Sequence, residues 1–440
     1  MVTGDRAVFR PFFSSVVDWP RQSPTGGFFQ SLPQPRWGCF RSWAVTQGSS
    51  CLATLGFGAE SRWDSWRRFA KRRTGKPLRR HTTVRTFTSR DTRTYLSGQP
   101  FIVIIDFLRL ALLFCLLPFA FPARAELFQL PTANHAIFEP GGEERFFAGT
   151  EGKTWISGTF GCVRTDGWQV HEGLDIRSVR RDKHGEPEDP VMATADGTVA
   201  YINRRPALSN YGNYIVLRHQ IEGMEIFSVY AHLSAVREGL QAGQSVRAGE
   251  TIATMGRTSN THQRISKERA HVHFELDTIV NDRFAEWFQH TSPGQRNDHG
   301  NWNGQNLTGI DPRLVLLEEH QEGPRFSLVH YIQSETPLCK VFVRATSFPW
   351  LRHYRPLIKP NPVAEKEGVA GYEITLDFNG VAIELVPRAA SEIKGRGKYV
   401  LIAVNEAEEK KNPARKFVTK KSGRWELAPH GINLLDLMTY

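Results

Sequence analysis

Residues 190–280 contain a series of short apolar runs that constrain the fold more than any other feature of the chain. The runs cover 197–202, 214–219, 226–232 and 271–276, and they are rich in β-branched and aromatic residues. Gly, Asn and Pro lie between them, and no long stretch of helical periodicity interrupts the series. Such runs are typical of strands joined by turns. The sequence therefore predicts a mainly β fold, with a small antiparallel sheet or barrel in this region.

The last of these runs contains a His-x-His pair. Alternation along a strand puts His271, His273 and Glu275 on one face and the apolar residues between them on the other. The two imidazoles then lie about 6.5–7 Å apart along one surface. We interpret Glu275 as a group that orients a neighbour rather than as a metal ligand.

A second pair of possible ligands precedes the runs. In an extended chain His171 and Asp175 lie on the same side, and Gly173 between them leaves room for close approach. Together with His273 they supply two nitrogens and one oxygen. This set suits zinc with an open position for water, which is the mark of a catalytic rather than a structural site.

The order of the motifs is more specific than either histidine spacing. With 15 His in the chain, about 0.5 pairs of either kind are expected by chance, and a lone histidine is more often structural. The chain, however, has several motifs in sequence: His171-Glu-Gly-Leu-Asp175, Tyr211-Gly-Asn, Tyr230-Ala-His232-Leu-Ser234, Gly243-Gln-Ser-Val-Arg-Ala-Gly-Glu250 and His271-Val-His273-Phe-Glu-Leu276. This combination resembles the lysostaphin/LytM-type zinc endopeptidases over roughly residues 150–280.

The resemblance implies a small antiparallel catalytic domain with a role for each histidine. By position, the implied Zn²⁺ ligands are His171, Asp175 and His273. His271 then acts on the zinc-bound water, and His232 is the other catalytic histidine, suited to stabilise an oxyanion. Alternation places His232 on the same strand face as Tyr230, and we expect both to point into one groove.

The resemblance also implies a substrate class. Members of this family hydrolyse peptide bonds of peptidoglycan, either glycyl bridges or direct cross-links that end in D-alanine, and we expect the direct cross-links. The alternative is a non-hydrolytic regulator or cell-wall-binding protein that has lost the ligands and activates a separate amidase. All five site positions are present here, which favours the enzyme. The expected partners are peptidoglycan peptides and a cell-envelope regulator.

The segment 257–270 departs from the family pattern, because it is longer and more basic. It borders the substrate groove in that fold, so its composition bears on specificity. His262 within it is either close enough to reach the site or a solvated loop residue.

The basic charge of the chain lies in its first hundred residues. The net charge is +11, but residues 1–100 hold 17 Lys+Arg and 5 Asp+Glu, which leaves 39 basic and 40 acidic residues in the remainder. Residues 1–102 lack sustained periodicity, and we interpret them as a non-native upstream extension or a disordered basic segment. A nucleic-acid-binding arm is the weaker alternative, since Arg-rich sequence without a fold signal is poor evidence. We therefore expect no nucleic-acid partner.

Residues 103–125 have the layout of a signal peptide. An uncharged apolar run of 12 residues, 110–121, precedes the small residues Ala123 and Ala125, and a secretory core has roughly 7–15 such residues. A membrane span needs about 20. Initiation near Val103 or Leu108 would give a conventional leader. We expect an exported protein, periplasmic or associated with the cell envelope, that has no stable membrane span once mature.

The exported part divides into two predicted domains. Residues 126–322 form the LytM-like peptidase domain, and 323–440 form a β-rich (α+β) C-terminal domain with strands near 372–378 and 398–404 and a short terminal helix. The C-terminal domain shows no catalytic motif, and it either binds the cell wall or packs against the catalytic domain. Cys162 and Cys339 permit one disulfide between the two halves, with two buried thiols as the alternative.

Overall fold

The computed structural model describes residues 126–164, 169–261 and 265–440. The predicted upstream segment 1–102, the predicted signal peptide 103–125 and His262 lie outside the described residues, so these interpretations stay predictions.

The first part of the structure is built on antiparallel sheets, as the sequence predicts. Its strands are β1 Val163–Arg164, β2 Gln169–Val170, β3 Leu174–Arg177, β4 Pro190–Met192, β5 Gly197–Asn203, β6 Asn213–Ile221, β7 Met224–Leu233, β8 Ala235–Val236, β9 Ser245–Val246, β10 Thr251–Thr254, β11 His271–Ile279 and β12 Leu307–Ile310. A seven-stranded sheet has the order β12-β11-β7-β6-β5-β9, with β3 also paired to β11. A three-stranded sheet has the order β4-β10-β8, and β1 pairs with β2.

Strand β11 lies in the interior of the large sheet, and every one of its residues is buried. Strand β7 pairs with 273–277 on one edge. On the other edge β3 pairs with 271–274 and β12 with 276–279. Because β3 and β7 flank the His-x-His pair, side chains from both can reach it.

The C-terminal lobe, residues 323–440, has a sheet of its own. Its strands are β13 Cys339–Val343, β14 Gly371–Leu376, β15 Ala382–Arg388, β16 Tyr399–Val404, β17 Val418–Lys421 and β18 Arg424–Leu427. The first four form an antiparallel sheet in the order β15-β14-β13-β16, and the last two form a hairpin. The two strands expected near 372–378 and 398–404 are therefore confirmed.

The described helices are short and connect or cover the sheets. They are α1 Glu143–Phe146, α2 Phe284–Thr291, α3 Pro312–Glu322, α4 Leu328–Ser334, α5 Trp350–His353, α6 Pro362–Glu367, α7 Glu406–Lys411 and α8 Pro429–Met438, of which α8 is the expected terminal helix. Turns of 3-10 helix lie at Ala136–Phe138, Trp155–Gly158, Pro206–Leu208, Gly300–Trp302, Gly304–Asn306, Gly323–Arg325, Arg355–Leu357 and Ala390–Glu392. Within the described ranges, no helix has both the length and the apolar character that crossing a bilayer requires.

The C-terminal lobe packs directly on the large sheet. The hydroxyl of Tyr354 accepts a hydrogen bond from the backbone amide of Ile279 at 2.7 Å. The side-chain amide of Asn281 donates to the carbonyl of Leu437, also at 2.7 Å. Buried apolar residues of both parts belong to one continuous cluster. The boundary at 322/323 stays a prediction, but the two parts share a core.

The disulfide that the sequence allowed is not formed. Cys162 and Cys339 are both buried, and neither is bonded to the other. Burial raises the pKa of the Cys339 thiol to about 12, so it stays protonated and unreactive at neutral pH. The shared core, rather than a covalent link, holds the two parts together.

Candidate metal centre

Two neighbouring strands place the predicted ligands side by side. Asp175 of β3 lies opposite His273 of β11 in the strand register. His171 precedes β3, and its backbone amide and carbonyl bond to Cys162 and Gly161 at 2.9 Å each. The pairing of β3 with β11 and the two backbone hydrogen bonds of His171 thus hold the backbone at all three predicted ligands.

A glycine between two of the ligands permits this close pairing. A Cβ atom at position 173 would lie 2.3 Å from the carbonyl oxygen of Phe274 and 2.8 Å from Cγ of Glu275. A side chain at Gly173 would therefore push β3 away from β11. The close approach expected from the sequence is confirmed.

The three predicted ligands form a compact, buried triangle. Nε2 of His171, Oδ1 of Asp175 and Nδ1 of His273 each lie 3.0 Å from the other two. The three residues are only 2 %, 1 % and 5 % exposed. They form a group whose donor atoms are close enough together to hold one metal ion.

Hydrogen bonds outside the triangle set the tautomer of each histidine. Nδ1 of His171 donates to the carbonyl oxygen of Thr159 at 2.8 Å, which leaves a lone pair on Nε2. Nε2 of His273 donates to Oε1 of Glu275 at 2.6 Å, which leaves a lone pair on Nδ1. A carboxylate or carbonyl that takes the outer proton is the usual support of a metal-binding imidazole. Glu275 thus orients a neighbour, as the sequence suggests.

Three acceptor atoms at this spacing require a cation among them. With both imidazole protons directed outward, two nitrogen lone pairs and a carboxylate oxygen converge, which is favourable only around positive charge. In the metal-free protein this charge is a proton on His273: burial opposes it, but hydrogen bonds to Asp175 and Glu275 outweigh burial and raise the pKa of His273 to about 10. A bound metal ion would replace that proton at Nδ1. The donor set of two imidazoles and one carboxylate fits zinc. These residues could hold such an ion without rearrangement of their outer partners.

Two more histidines lie beside the triangle. Nδ1 of His271 donates to the carbonyl of Arg269 at 2.6 Å, and its Nε2 lies 3.4 Å from Oδ1 of Asp175. Nδ1 of His232 donates to the carbonyl of Thr258 at 2.8 Å. The two ring centroids are 4.9 Å apart. The structure therefore brings all five predicted site residues together and places two further imidazoles next to the triangle.

His232 reaches the site through an unusual backbone conformation. Its φ is +62°, in the left-handed region that residues other than glycine seldom adopt. Tyr230 lies on the opposite face, fully buried, where its ring contacts Phe274 and its hydroxyl bonds to Thr194. The expectation that both side chains point into one groove is wrong, because the backbone at His232 breaks the alternation. Backbone strain of this kind is common at functional sites.

Burial and the neighbouring imidazoles keep His232 neutral. Burial, followed by the charges of His271 and His273, holds its pKa well below the ordinary value. Since its Nδ1 proton is used by Thr258, the neutral ring offers a lone pair at Nε2.

Tyr211 is a site residue whose role the sequence did not reveal. Its hydroxyl donates to Oε1 of Glu275 at 2.7 Å, and its ring stacks on His273 with centroids 5.5 Å apart. The Tyr211-Gly-Asn motif is typical of a turn and did not indicate that Tyr211 contacts Glu275 or His273. Thr159 and Thr258 contribute backbone carbonyls, which leave no signal in a side-chain pattern.

The basic segment after Gly256 is partly neutralised. Arg257 makes two hydrogen bonds to the Glu186 carboxylate, at 2.8 and 3.0 Å, and Lys267 lies 3.2 Å from it. These contacts, with Arg257 the largest, lower the pKa of Glu186 to about 2. The segment is thus tied to the loop after β3 as well as to the site.

Comparisons with known proteins agree with this arrangement. Residues 169–284 match the family described as peptidase family M23. The "Murein hydrolase activator NlpD" of Escherichia coli K12 is 35 % identical over 127 residues, which are 29 % of this chain and 26 % of that protein. "Lipoprotein NlpD" of Yersinia enterocolitica is 35 % identical over 95 residues, which are 22 % of this chain and 84 % of that sequence. The chain thus spans about a quarter of the E. coli relative's length.

Solved structures include the catalytic domain of the antimicrobial peptidase lysostaphin from Staphylococcus simulans. It is 25 % identical, and the match covers 27 % of this chain and 75 % of that one with a TM-score of 0.20.

Proposed function

The chain belongs to peptidase family M23, and from that premise we propose that it is a zinc-dependent endopeptidase that hydrolyses peptide cross-links of bacterial peptidoglycan. The observation that carries this proposal is the triangle of His171, Asp175 and His273, whose outer protons are already committed to other partners. Two further imidazoles, those of His232 and His271, lie next to it with their ring centroids 4.9 Å apart. A protein that only regulates another enzyme has no need of this complete set.

The chemistry requires activation of water and transfer of its proton. His171, Asp175 and His273 would hold the zinc ion, which would lower the pKa of a bound water and polarise the scissile carbonyl. His271 accepts the proton of the attacking water at Nε2, since its Nδ1 proton is held by Arg269. It then returns the proton to the nitrogen of the leaving amine as the carbon–nitrogen bond breaks.

His232, whose ring centroid lies 4.9 Å from that of His271, supports the same step. In the neutral ring, Nε2 accepts and can hold the second hydrogen of the attacking water in place. It stabilises an oxyanion only when Nε2 is protonated, because Thr258 already occupies Nδ1. The oxyanion role inferred from the resemblance therefore requires a proton on Nε2 of His232.

The substrate and location follow from the proposed activity. We propose direct cross-links that end in D-alanine, rather than glycyl bridges, as the substrate, and the periplasm or cell envelope as the location. The predicted leader at 103–125 supports export, and the relatives named lipoproteins support the envelope. The partners are then peptidoglycan peptides and an envelope regulator.

One observation favours a second candidate function. The E. coli relative carries the name of a murein hydrolase activator. A protein of that kind would stimulate a separate amidase without cleaving peptidoglycan itself.

One experiment separates the two functions. Purified protein is incubated with peptidoglycan, with and without a zinc chelator, and the products are read by mass spectrometry. Conversion of cross-linked fragments to monomers that stops with chelator and in His171→Ala supports the endopeptidase. His290→Ala, at an exposed position of α2, is the matched control. No conversion by the zinc-loaded protein, together with stimulation of an added amidase, would establish the activator instead.

A further inference from the structure

The C-terminal lobe contacts the segment that holds His171. The ring of Phe378, in the turn between β14 and β15, packs against Phe160 with centroids 6.1 Å apart. The neighbouring Asn379 donates its side-chain amide to the carbonyl of Gly309, at 2.8 Å. The tip of this turn thus contacts residues 159–162, the segment that forms one wall of the candidate metal centre.

Residues 159–162 hold His171 through three hydrogen bonds. Thr159 accepts the ring proton of His171 at 2.8 Å. Gly161 donates to the His171 carbonyl, and the His171 amide donates to Cys162, each at 2.9 Å. Phe160, which Phe378 covers, lies between these contacts in the chain. Movement of 159–162 would therefore move the imidazole.

A second contact reaches the other side of His171. Arg415 donates its Nε proton to Oδ1 of Asn379 at 2.8 Å, and its Nη2 lies 3.5 Å from Oε1 of Glu172. Glu172 directly follows His171 in the chain. Arg415 is itself held in place, because its carbonyl accepts a hydrogen bond from Nδ1 of His430 at 2.6 Å.

Close packing leaves little freedom at this junction. A Cβ atom at Gly309 would lie 2.7 Å from the carbonyl of Glu172 and 2.9 Å from the ring of Phe160. Strand β12, which carries Gly309, therefore lies tightly between the C-terminal turn and the ligand segment. The contact between Asn379 and Gly309 passes through this point.

We propose that the C-terminal lobe clamps the ligand segment of the metal centre, with Arg415 as a positioning residue that acts on His171 through Glu172. This inference rests on the proposed function, because it gives the lobe a part in holding the metal. The pair of Arg415 and Glu172 is 21 % and 28 % exposed, and such pairs add little to overall stability. Its expected effect is on orientation. Loss of a group that orients a metal ligand typically weakens metal binding by about 10–100-fold.

The test uses the whole protein and five variants. Arg415→Gln removes the charge, Arg415→Lys keeps it, and Glu172→Gln removes its partner. The double variant Arg415→Gln/Glu172→Gln tests whether the two act together. Arg424→Gln, at an exposed position of β18, is the matched control. Three quantities are measured: zinc affinity by competition with a chelator, melting temperature, and hydrogen exchange of 159–164 and 169–175 in the metal-free protein.

The expected result is a selective loss of positioning. Arg415→Gln binds zinc about tenfold more weakly and exchanges its amide hydrogens faster at 159–164 and 169–175, while its melting temperature stays within about 2 °C of the wild-type value. Arg415→Lys recovers part of the zinc affinity. The double variant binds zinc no more weakly than the single variant with the lower affinity. The control matches the wild type in all three measurements.

Two results would overturn the clamp. One is hydrogen exchange of 159–164 and 169–175 that is unchanged in Arg415→Gln. The other is a double variant in which the effects of Arg415→Gln and Glu172→Gln simply add. Hydrogen exchange is measured on the metal-free protein and requires no activity. It therefore tests the clamp even if the wild type binds no zinc or cleaves no peptidoglycan. A wild-type protein that binds no zinc, or that cleaves no peptidoglycan, would count against the proposed function alone.

Discussion

Glu275 accepts a hydrogen bond from Nε2 of His273 at 2.6 Å, two residues away along the same face of β11. Tyr211 donates to the same carboxylate oxygen at 2.7 Å. Burial favours the neutral acid, but the hydrogen bond and charge of His273 outweigh it and lower the pKa of Glu275. The ionised carboxylate therefore holds a proton on Nε2 of His273 and orients the ring so that Nδ1 faces the other ligands.

Glu275→Ala is expected to weaken zinc binding by about 10–100-fold, because His273 loses the acceptor that orients it. The affinity is measured by competition with a chromophoric chelator. Tyr211→Phe removes only the second partner of the carboxylate, so its effect should be smaller. An affinity equal to that of the wild type in Glu275→Ala would show that His273 is held by other contacts.

Zinc is expected to stabilise the folded protein, since the triangle is assembled only in the native state. A ligand that binds the folded state alone adds about 4 kcal/mol at a free concentration 1,000 times its Kd. The melting temperature should rise with zinc and fall with chelator. In His171→Ala the melting temperature should respond to neither. A zinc-induced rise in that variant equal to the wild-type rise would place the bound metal elsewhere.

His219 is expected to make stability fall in acid. Its imidazole is buried between Ser228 and the carbonyl of Asp196, at 2.7 and 2.8 Å, and burial lowers its pKa to about 4. The unfolded chain protonates this group near pH 6.5, so it binds more protons than the folded state as the pH falls from 6.5 to 4. The folded state thereby loses about 3 kcal/mol at the lower end of this range.

The His219→Gln variant isolates this contribution. The free energy of unfolding is measured by urea denaturation from pH 7 to pH 4 for both proteins. The wild-type advantage should shrink by about 3 kcal/mol across that range, because glutamine does not titrate. A constant difference between the two proteins would show that His219 titrates alike in the folded and unfolded states.

The strands and the ligand pairing could be predicted from sequence because both depend on local periodicity. The run at 271–276 alternates, and Gly173 marks a close approach, so the register of β3 against β11 follows from local rules. The position of His232 could not be predicted, since nothing in its side chain signals a φ of +62°.

Contacts between distant segments were also beyond sequence reasoning. Tyr211 meets Glu275 across 64 positions in the chain, and Arg415 meets Glu172 across a larger separation. Such contacts follow from packing of the assembled sheets rather than from periodicity. The sequence left open whether Cys162 and Cys339 form a disulfide or two buried thiols, because spacing along the chain carries no information on the geometry a bond needs, and the structure shows the buried thiols.

Thr258 should affect catalysis without affecting metal binding. Its hydroxyl donates to the carbonyl of Leu233 and accepts from the amide of Asn213, each at 2.9 Å. Its own carbonyl holds Nδ1 of His232. Thr258→Val removes both side-chain hydrogen bonds and frees the backbone that orients His232. Since small misplacement of a reacting group is costly, kcat should fall about tenfold or more.

Metal binding should be unaltered in the same variant, because the hydrogen bonds of Thr258 go to Asn213, His232 and Leu233 rather than to the three predicted ligands. Steady-state hydrolysis of a soluble cross-linked peptide gives kcat and KM, and chelator competition gives the zinc affinity. Ser259→Ala, one residue further along, is the matched control. Equal losses of kcat and zinc affinity would mean that Thr258 supports the whole site rather than His232.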